Sequence, residues 1–112
     1  MHETIRGFRM PEESAVEDAA RTLRLLADPT RLKICWALMQ GESNVACLAE
    51  VSGTHPSAVS QHIAKLRLAG LVHARREGNF VYYKLSSDQT VGLLQDALAS
   101  SDPHLQDVVP KR

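Results

Sequence analysis

Apolar positions along this chain follow helical spacing over most of its length and switch to alternation between Leu71 and Leu85. Val16, Ala19, Ala20, Leu23 and Leu26 form a first stripe. Ser14 with Glu17 has the spacing of a capping box, so a first helix is predicted to about Ala27. Asp28 is a good N-cap and Pro29 suits a first helical position, which starts a second helix at once. Its residues Leu32, Ile34, Cys35, Trp36, Leu38 and Met39 are apolar on most sides, so this helix is predicted to lie at the centre of the core before ending at Gly41. Ser43 or Asn44 can cap a short third helix with Val45, Leu48 and Ala49 facing inward, closed by Gly53. Pro56 pushes His55 toward extended backbone and sharpens the turn into a fourth helix, which Gly70 ends. Leu71 to Arg76 and Phe80 to Leu85 have strand composition around a Glu77-Gly78-Asn79 tip. A last helix from about Ser87 to Ser101 carries Val91, Leu94, Ala97 and Leu98 on one face, and Asp102-Pro103 stops it.

Residues 1–13 read as a mobile arm, residues 14–101 as one domain and residues 102–112 as a polar tail. Within the domain the order α-α-α-α-β-β-α gives a mainly α fold with a small hairpin, a winged helix-turn-helix.

The fourth helix has two unlike faces. Val59, Ile63 and Leu66 fill one, while Ser57, Ser60, Gln61, Ala64 and Lys65 recur at i, i+3, i+4, i+7 and i+8 on the other. Short hydroxyls, an amide, a methyl and a cation can approach base edges closely, and no carboxylate is there to be repelled by phosphate. A solvated surface would need only polarity, but the basic hairpin that follows adds more than solubility requires. Double-stranded DNA is the partner this unit suits. Arg75 and Arg76 alternate on a strand, so one is expected to face phosphate and the other to cover the sheet, with Asn79 at the tip. Tyr82 and Tyr83 alternate as well, one of them toward the core.

The chain's formal charge is zero, which argues against a nucleic-acid binder until its distribution is considered. From Gly53 to Lys84 the cations Lys65, Arg67, Arg75, Arg76 and Lys84 face a single acid, Glu77, a net of plus four. An acidic body behind a basic reading unit still directs its field toward phosphate.

At 112 residues and 44% hydrophobic content this is one small domain, of the size that buries about two-thirds of its unfolded surface and is often stabilised by dimerising. No run approaches the roughly 20 apolar residues of a membrane helix, and MHETIRGFRM has no signal-peptide core, so a cytoplasmic protein without membrane contact is expected. Cys35 and Cys47 both fall in helical patterns, so reduced thiols are expected rather than a disulfide. An enzyme is disfavoured. There is no phosphate-binding glycine loop, compact metal motif or locally placed nucleophile with paired carboxylates.

The segments LADPTRLKI, LAEVSG, SAVSQHIAKLRLAGLV and RREGNFVYYKL, in that order, resemble the ArsR/SmtB family of bacterial transcriptional repressors over roughly Leu23 to Leu98. The resemblance implies a homodimer joined through the first and last helices, bound to an inverted-repeat operator and released by an inducer, most often a metal ion. It also implies that His62 either contacts DNA or braces the turn. The chain departs from the family's metal sites. Where one site has a Cys-x-Cys pair, this sequence has Asn44, Val45 and Ala46, with Cys47 one residue later. An isolated cysteine there, like Cys35, reads as a small buried hydrophobe. At the four positions of a second family site stand Ser87, Gln89, Ser100 and Pro103. A one-residue slip recruits Asp88 but sets Thr90 where a histidine is needed. What remains is His2, Glu3 and the terminal amine at one end, with Asp102 and His104 at the other. Those donors would suit nickel, cobalt or zinc if two chains brought them together, and otherwise have no function.

Three functions therefore stay open: a DNA-binding repressor with a transition metal such as nickel as effector, an effector-free regulator or one controlled by a regulatory protein, and a winged-helix protein-interaction module. The last would need an apolar anchor on the exposed face of the fourth helix, and the sequence has none.

Overall fold

A computed structural model describes residues 6–107. Its helices are α1 (Glu13–Leu26), α2 (Pro29–Met39), α3 (Val45–Ser52), α4 (Pro56–Leu68) and α5 (Asp88–Ser101), and between α4 and α5 lies the hairpin β1 (Val72–Glu77) and β2 (Phe80–Leu85). This is the winged helix-turn-helix order read from the sequence. Among the described residues no helix is long and apolar enough to cross a membrane.

The core forms where α2, α3, α4 and the hairpin base converge. Ile34, Cys35, Leu48, Val59 and Leu66 are fully buried, joined by Leu38, Ile63, Val72 and Leu94. Burial of each larger aliphatic side chain contributes about 1.5–3 kcal/mol. α1 joins that cluster only at its end, where Leu26 is its one buried residue, and leaves Val16 and Leu23 exposed by 41% and 52%.

Caps set most of the boundaries. The Asp28 carboxylate accepts from the Arg31 backbone N–H at 3.0 Å and Pro29 follows as the first helical residue. Asn44, not Ser43, caps α3, its Oδ1 accepting from Cys47 N–H at 2.9 Å. Ser43 instead pairs with Tyr83 through two backbone hydrogen bonds of 3.1 and 2.8 Å, adding a one-residue rung beside the wing. Gly53 closes α3 at φ 66°, a left-handed position that costs a residue with a Cβ and lets α4 begin three residues later.

Several boundaries differ from the sequence reading. The Ser14–Glu17 capping box is not formed, because α1 begins at Glu13 after Glu12, which makes no side-chain cap, and Ser14 already has helical backbone. A carboxylate in the first turn stabilises that earlier start through the helix dipole. Glu77 belongs to β1 and pairs with Phe80, so the tip is the two-residue turn Gly78-Asn79. Gly78 sits at φ 62° while Asn79 has negative φ, the pattern of a II′ turn that matches strand twist. Within the described residues the tail forms a 3₁₀ helix at Pro103–Asp107 with a half-buried Leu105.

Candidate nucleic-acid interface

α3 and α4 meet through the short turn Gly53-Thr54-His55, and the Thr54 N–H donates to the Ala49 carbonyl at 3.0 Å. His55 is the N-cap of α4. Its Nδ1 accepts from Ser57 N–H at 3.2 Å and lies 2.9 Å from the Ser57 hydroxyl. Sequence inspection identified the extended backbone at His55 but not its cap, since a histidine is a rare N-cap and only its position before Pro56 hinted at one. The two faces of α4 sort as their composition demands. Val59, Ile63 and Leu66 are buried, whereas Ser57, Ser60, Gln61, Ala64 and Lys65 are all exposed along one side.

His62 stands between those faces and is half-buried. Its Nδ1 accepts from Arg31 Nε at 3.0 Å, and the same guanidinium donates through Nη1 to the Leu25 carbonyl at 2.9 Å. The corner between α1 and α2 is thereby fastened to α4. Nearby, the Asp28 carboxyl is held below its ordinary value, chiefly by the Arg31 backbone N–H, with His62 and the Arg31 side chain adding to that effect against partial burial.

The two wing arginines have separate surroundings. Arg75 pairs bidentately with Glu42 at 2.8 and 3.2 Å, contacts Glu77 at 2.5 Å and lies over the Tyr82 ring at 5.0 Å. Its pKa is raised by the hydrogen bonds it donates to Glu42 and then to Glu77, and Glu42 is correspondingly held below the ordinary carboxylate range by Arg75. Arg76, opposite Val81 in the ladder, makes no ion pair among the described residues. Arg75 thus covers the sheet and anchors the wing to the α2–α3 loop. Lys65, Arg67, Arg76 and Lys84 make no ion pair among the described residues, and the exposed Asn79 stands at the tip of the reading unit. Tyr83 packs on the core and Tyr82 lies beside Phe80 and beneath Arg75. Glu42 and Arg31 escaped the sequence reading because each meets its partner across more than 30 residues, with no local spacing to mark the pair.

Residues 28–74, from the start of α2 into β1, match the model of the bacterial regulatory protein, arsR family. The nodulation protein NolR of Rhizobium meliloti is 37% identical over 94 residues, spanning 84% of this chain and 77% of NolR. The chain belongs to the ArsR family. The transcriptional regulator KmtR of Mycobacterium tuberculosis is 42% identical over 79 residues, 70% of this ArsR-family chain but 61% of KmtR, so less than two-thirds of that relative's length is spanned. In three dimensions the protein is similar to the homodimeric winged helix-turn-helix DNA-binding domain of Mb0332 from Mycobacterium bovis, with a TM-score of 0.73, 29% identity, 96% of this chain covered and 100% of that one. These relatives are regulators, not enzymes.

The donor set does not fit a family metal site within one protomer. Among the described residues no three His, Cys, Asp or Glu side chains cluster as metal ligands. Asn44 Oδ1 is occupied as a cap, Ser87 caps α5 by accepting from Thr90 N–H, and the Ser100 hydroxyl donates to the Asp96 carbonyl. Asp102 Oδ1 accepts from the His104 backbone N–H at 3.1 Å, which holds that pair together with no third ligand. His2 and Glu3 lie outside the described residues. Cys35 is buried as expected, and burial pushes its thiol up to about 12. Cys47 corrects the expectation of a buried hydrophobe: it is exposed, because α3 turns Val45, Leu48 and Ala49 inward and leaves the intervening positions to solvent.

Proposed function

We propose that this protein is a cytoplasmic transcriptional repressor that binds an inverted-repeat operator as a homodimer. Ser57, Ser60, Gln61, His62 and Lys65 of α4 meet the major groove, and Arg67, Arg76 and Asn79 meet the flanking backbone. The observation that carries this reading is the exposed face of α4, made of short polar groups and bordered by cations that no carboxylate among the described residues pairs with. Arg75 supports it indirectly, by holding the wing in place through Glu42. Self-association is supported by the exposed apolar side chains Val16 and Leu23 on α1 and Leu93 on α5, and by the homodimeric form of the Mb0332 domain. Two recognition helices about 34 Å apart would then enter successive major grooves.

Fluorescence anisotropy on duplexes from the protein's own upstream region tests the proposal. Tight, steeply salt-dependent binding to an inverted repeat is expected, with Gln61→Ala losing about 1–3 kcal/mol of discrimination at one base pair in each half-site. Equal binding to all duplexes, or unchanged base preference in Gln61→Ala, would overturn the assignment of α4 as reader.

Relatives named for cadmium and mercury resistance favour a metal ion as effector, and the nitrogen and oxygen donors of this chain suit nickel, cobalt or zinc. The donors among the described residues of one protomer do not complete such a site, so control without a metal is the second reading. Repeating the titration with each ion and with chelator separates the two. Loss of affinity with one ion and recovery on chelation would establish metal control, and superimposable curves would exclude it.

A further inference from the structure

We infer that Arg31 is a positioning residue for DNA reading, which holds His62 in the tautomer that carries its hydrogen on Nε2 and joins that ring to the end of α1. The inference rests on α4 being the reading helix. An imidazole nitrogen that accepts a hydrogen bond has its lone pair engaged, and the neutral ring has a single N–H. With Arg31 Nε donating to Nδ1 at 3.0 Å, that N–H is on Nε2. Nε2 has no partner among the described residues and is not sealed from solvent, whereas Nδ1 faces Arg31. His62 therefore presents one directed donor beside the exposed Gln61. Such a donor suits an acceptor on DNA, a phosphate oxygen or the N7 or O6 edge of a purine.

The guanidinium is itself held from two sides. Nη1 donates to the carbonyl of Leu25, in the last turn of α1 where carbonyls lack intrahelical partners, and Arg31's own backbone N–H is fixed by Asp28. The ring is thus oriented by a side chain seated on the α1–α2 corner, outside the recognition helix. Without this brace the ring interconverts between tautomers, and its Nε2 serves part of the time as an acceptor.

The test combines ring-nitrogen NMR of ¹⁵N-histidine-labelled protein with anisotropy on operator and unrelated duplexes. Wild-type His62 is expected to show an unprotonated Nδ1 and a protonated Nε2, with a measurable Nδ1–H fraction appearing in Arg31→Met. Operator affinity should fall about tenfold in Arg31→Met and in Arg31→Lys, which keeps the charge but cannot make both bonds, while affinity for unrelated DNA changes less than about twofold in Arg31→Lys. In a His62→Ala background, Arg31→Lys should have no further effect, whereas His62→Gln, which keeps a donor near the Nε2 position, should bind the operator close to wild type. A protonated Nδ1 in the wild type, or additive losses from the Arg31 and His62 changes, would overturn the inference. If wild-type protein fails to prefer any operator, the reading of α4 fails instead, and the ring-nitrogen pattern still reports whether Arg31 sets the tautomer.

Discussion

Arg75 and Arg76 are neighbours in sequence with different electrostatic surroundings, because a strand sends successive side chains to opposite faces. Arg75 meets Glu42, Glu77 and the Tyr82 ring, while Arg76 has no acidic partner among the described residues. Arg76→Ala should therefore weaken binding to all sequences alike and lower the salt slope of log affinity by about one, measured from titrations at several ionic strengths. The two cysteines divide in the same way, by burial. Cys47 should react with a maleimide in the folded protein, and Cys35 only after unfolding. Cys35 also gives stability a pH dependence. Its folded pKa of about 12 lies above the ordinary value of 9.0, so the native state keeps a proton that the unfolded state releases, and stability falls as pH rises through about 9. Urea midpoints of wild type and Cys35→Ala should draw together as pH rises from about 9 toward about 12.

At the scale of elements, the helix-turn-helix depends on caps as much as on apolar contacts. Asn44 satisfies an N–H at the start of α3, and Asn44→Ala should cost about 1 kcal/mol in chemical denaturation without altering base preference. Deleting core volume on the inner face of α4 is more severe. Ile63→Ala should cost about 2–5 kcal/mol, because the site is 2% exposed and the helices around it cannot close fully on the cavity. Both faces of α4 were legible in the sequence, since each is a single helical stripe. The capping box at Ser14 was misread because the true N-cap, Glu12, lies two residues earlier and makes no side-chain cap that would mark it, and Asn44 could not be separated from Ser43 until the Tyr83 pairing claimed the serine's backbone.

For the whole molecule, α1 is the element least accounted for by one protomer. It exposes Val16 and Leu23 on a stripe whose last member, Leu26, alone enters the core. If that stripe is a dimer surface, Leu23→Glu should shift the protein toward monomer in sedimentation equilibrium and weaken operator binding, while the core keeps its helicity. Retention of the wild-type mass would remove α1 from the interface. The zero net charge of the chain likewise gains meaning only in three dimensions. Glu42, distant in sequence from the basic segment, pairs with one of its five cations, and Lys65, Arg67, Arg76 and Lys84 have no ion pair among the described residues.

Periodicity, caps and turn residues, all local in the chain, determined that there would be five helices and a hairpin, which side of α4 would be polar, and where Gly53 and Gly70 would end their helices. Tertiary structure alone decided which arginine of the wing is anchored, that His62 is oriented by Arg31, and that Cys47 faces solvent. Each of those outcomes depends on packing between elements, or on groups about thirty residues apart whose energy of interaction exists only once the intervening chain has folded between them.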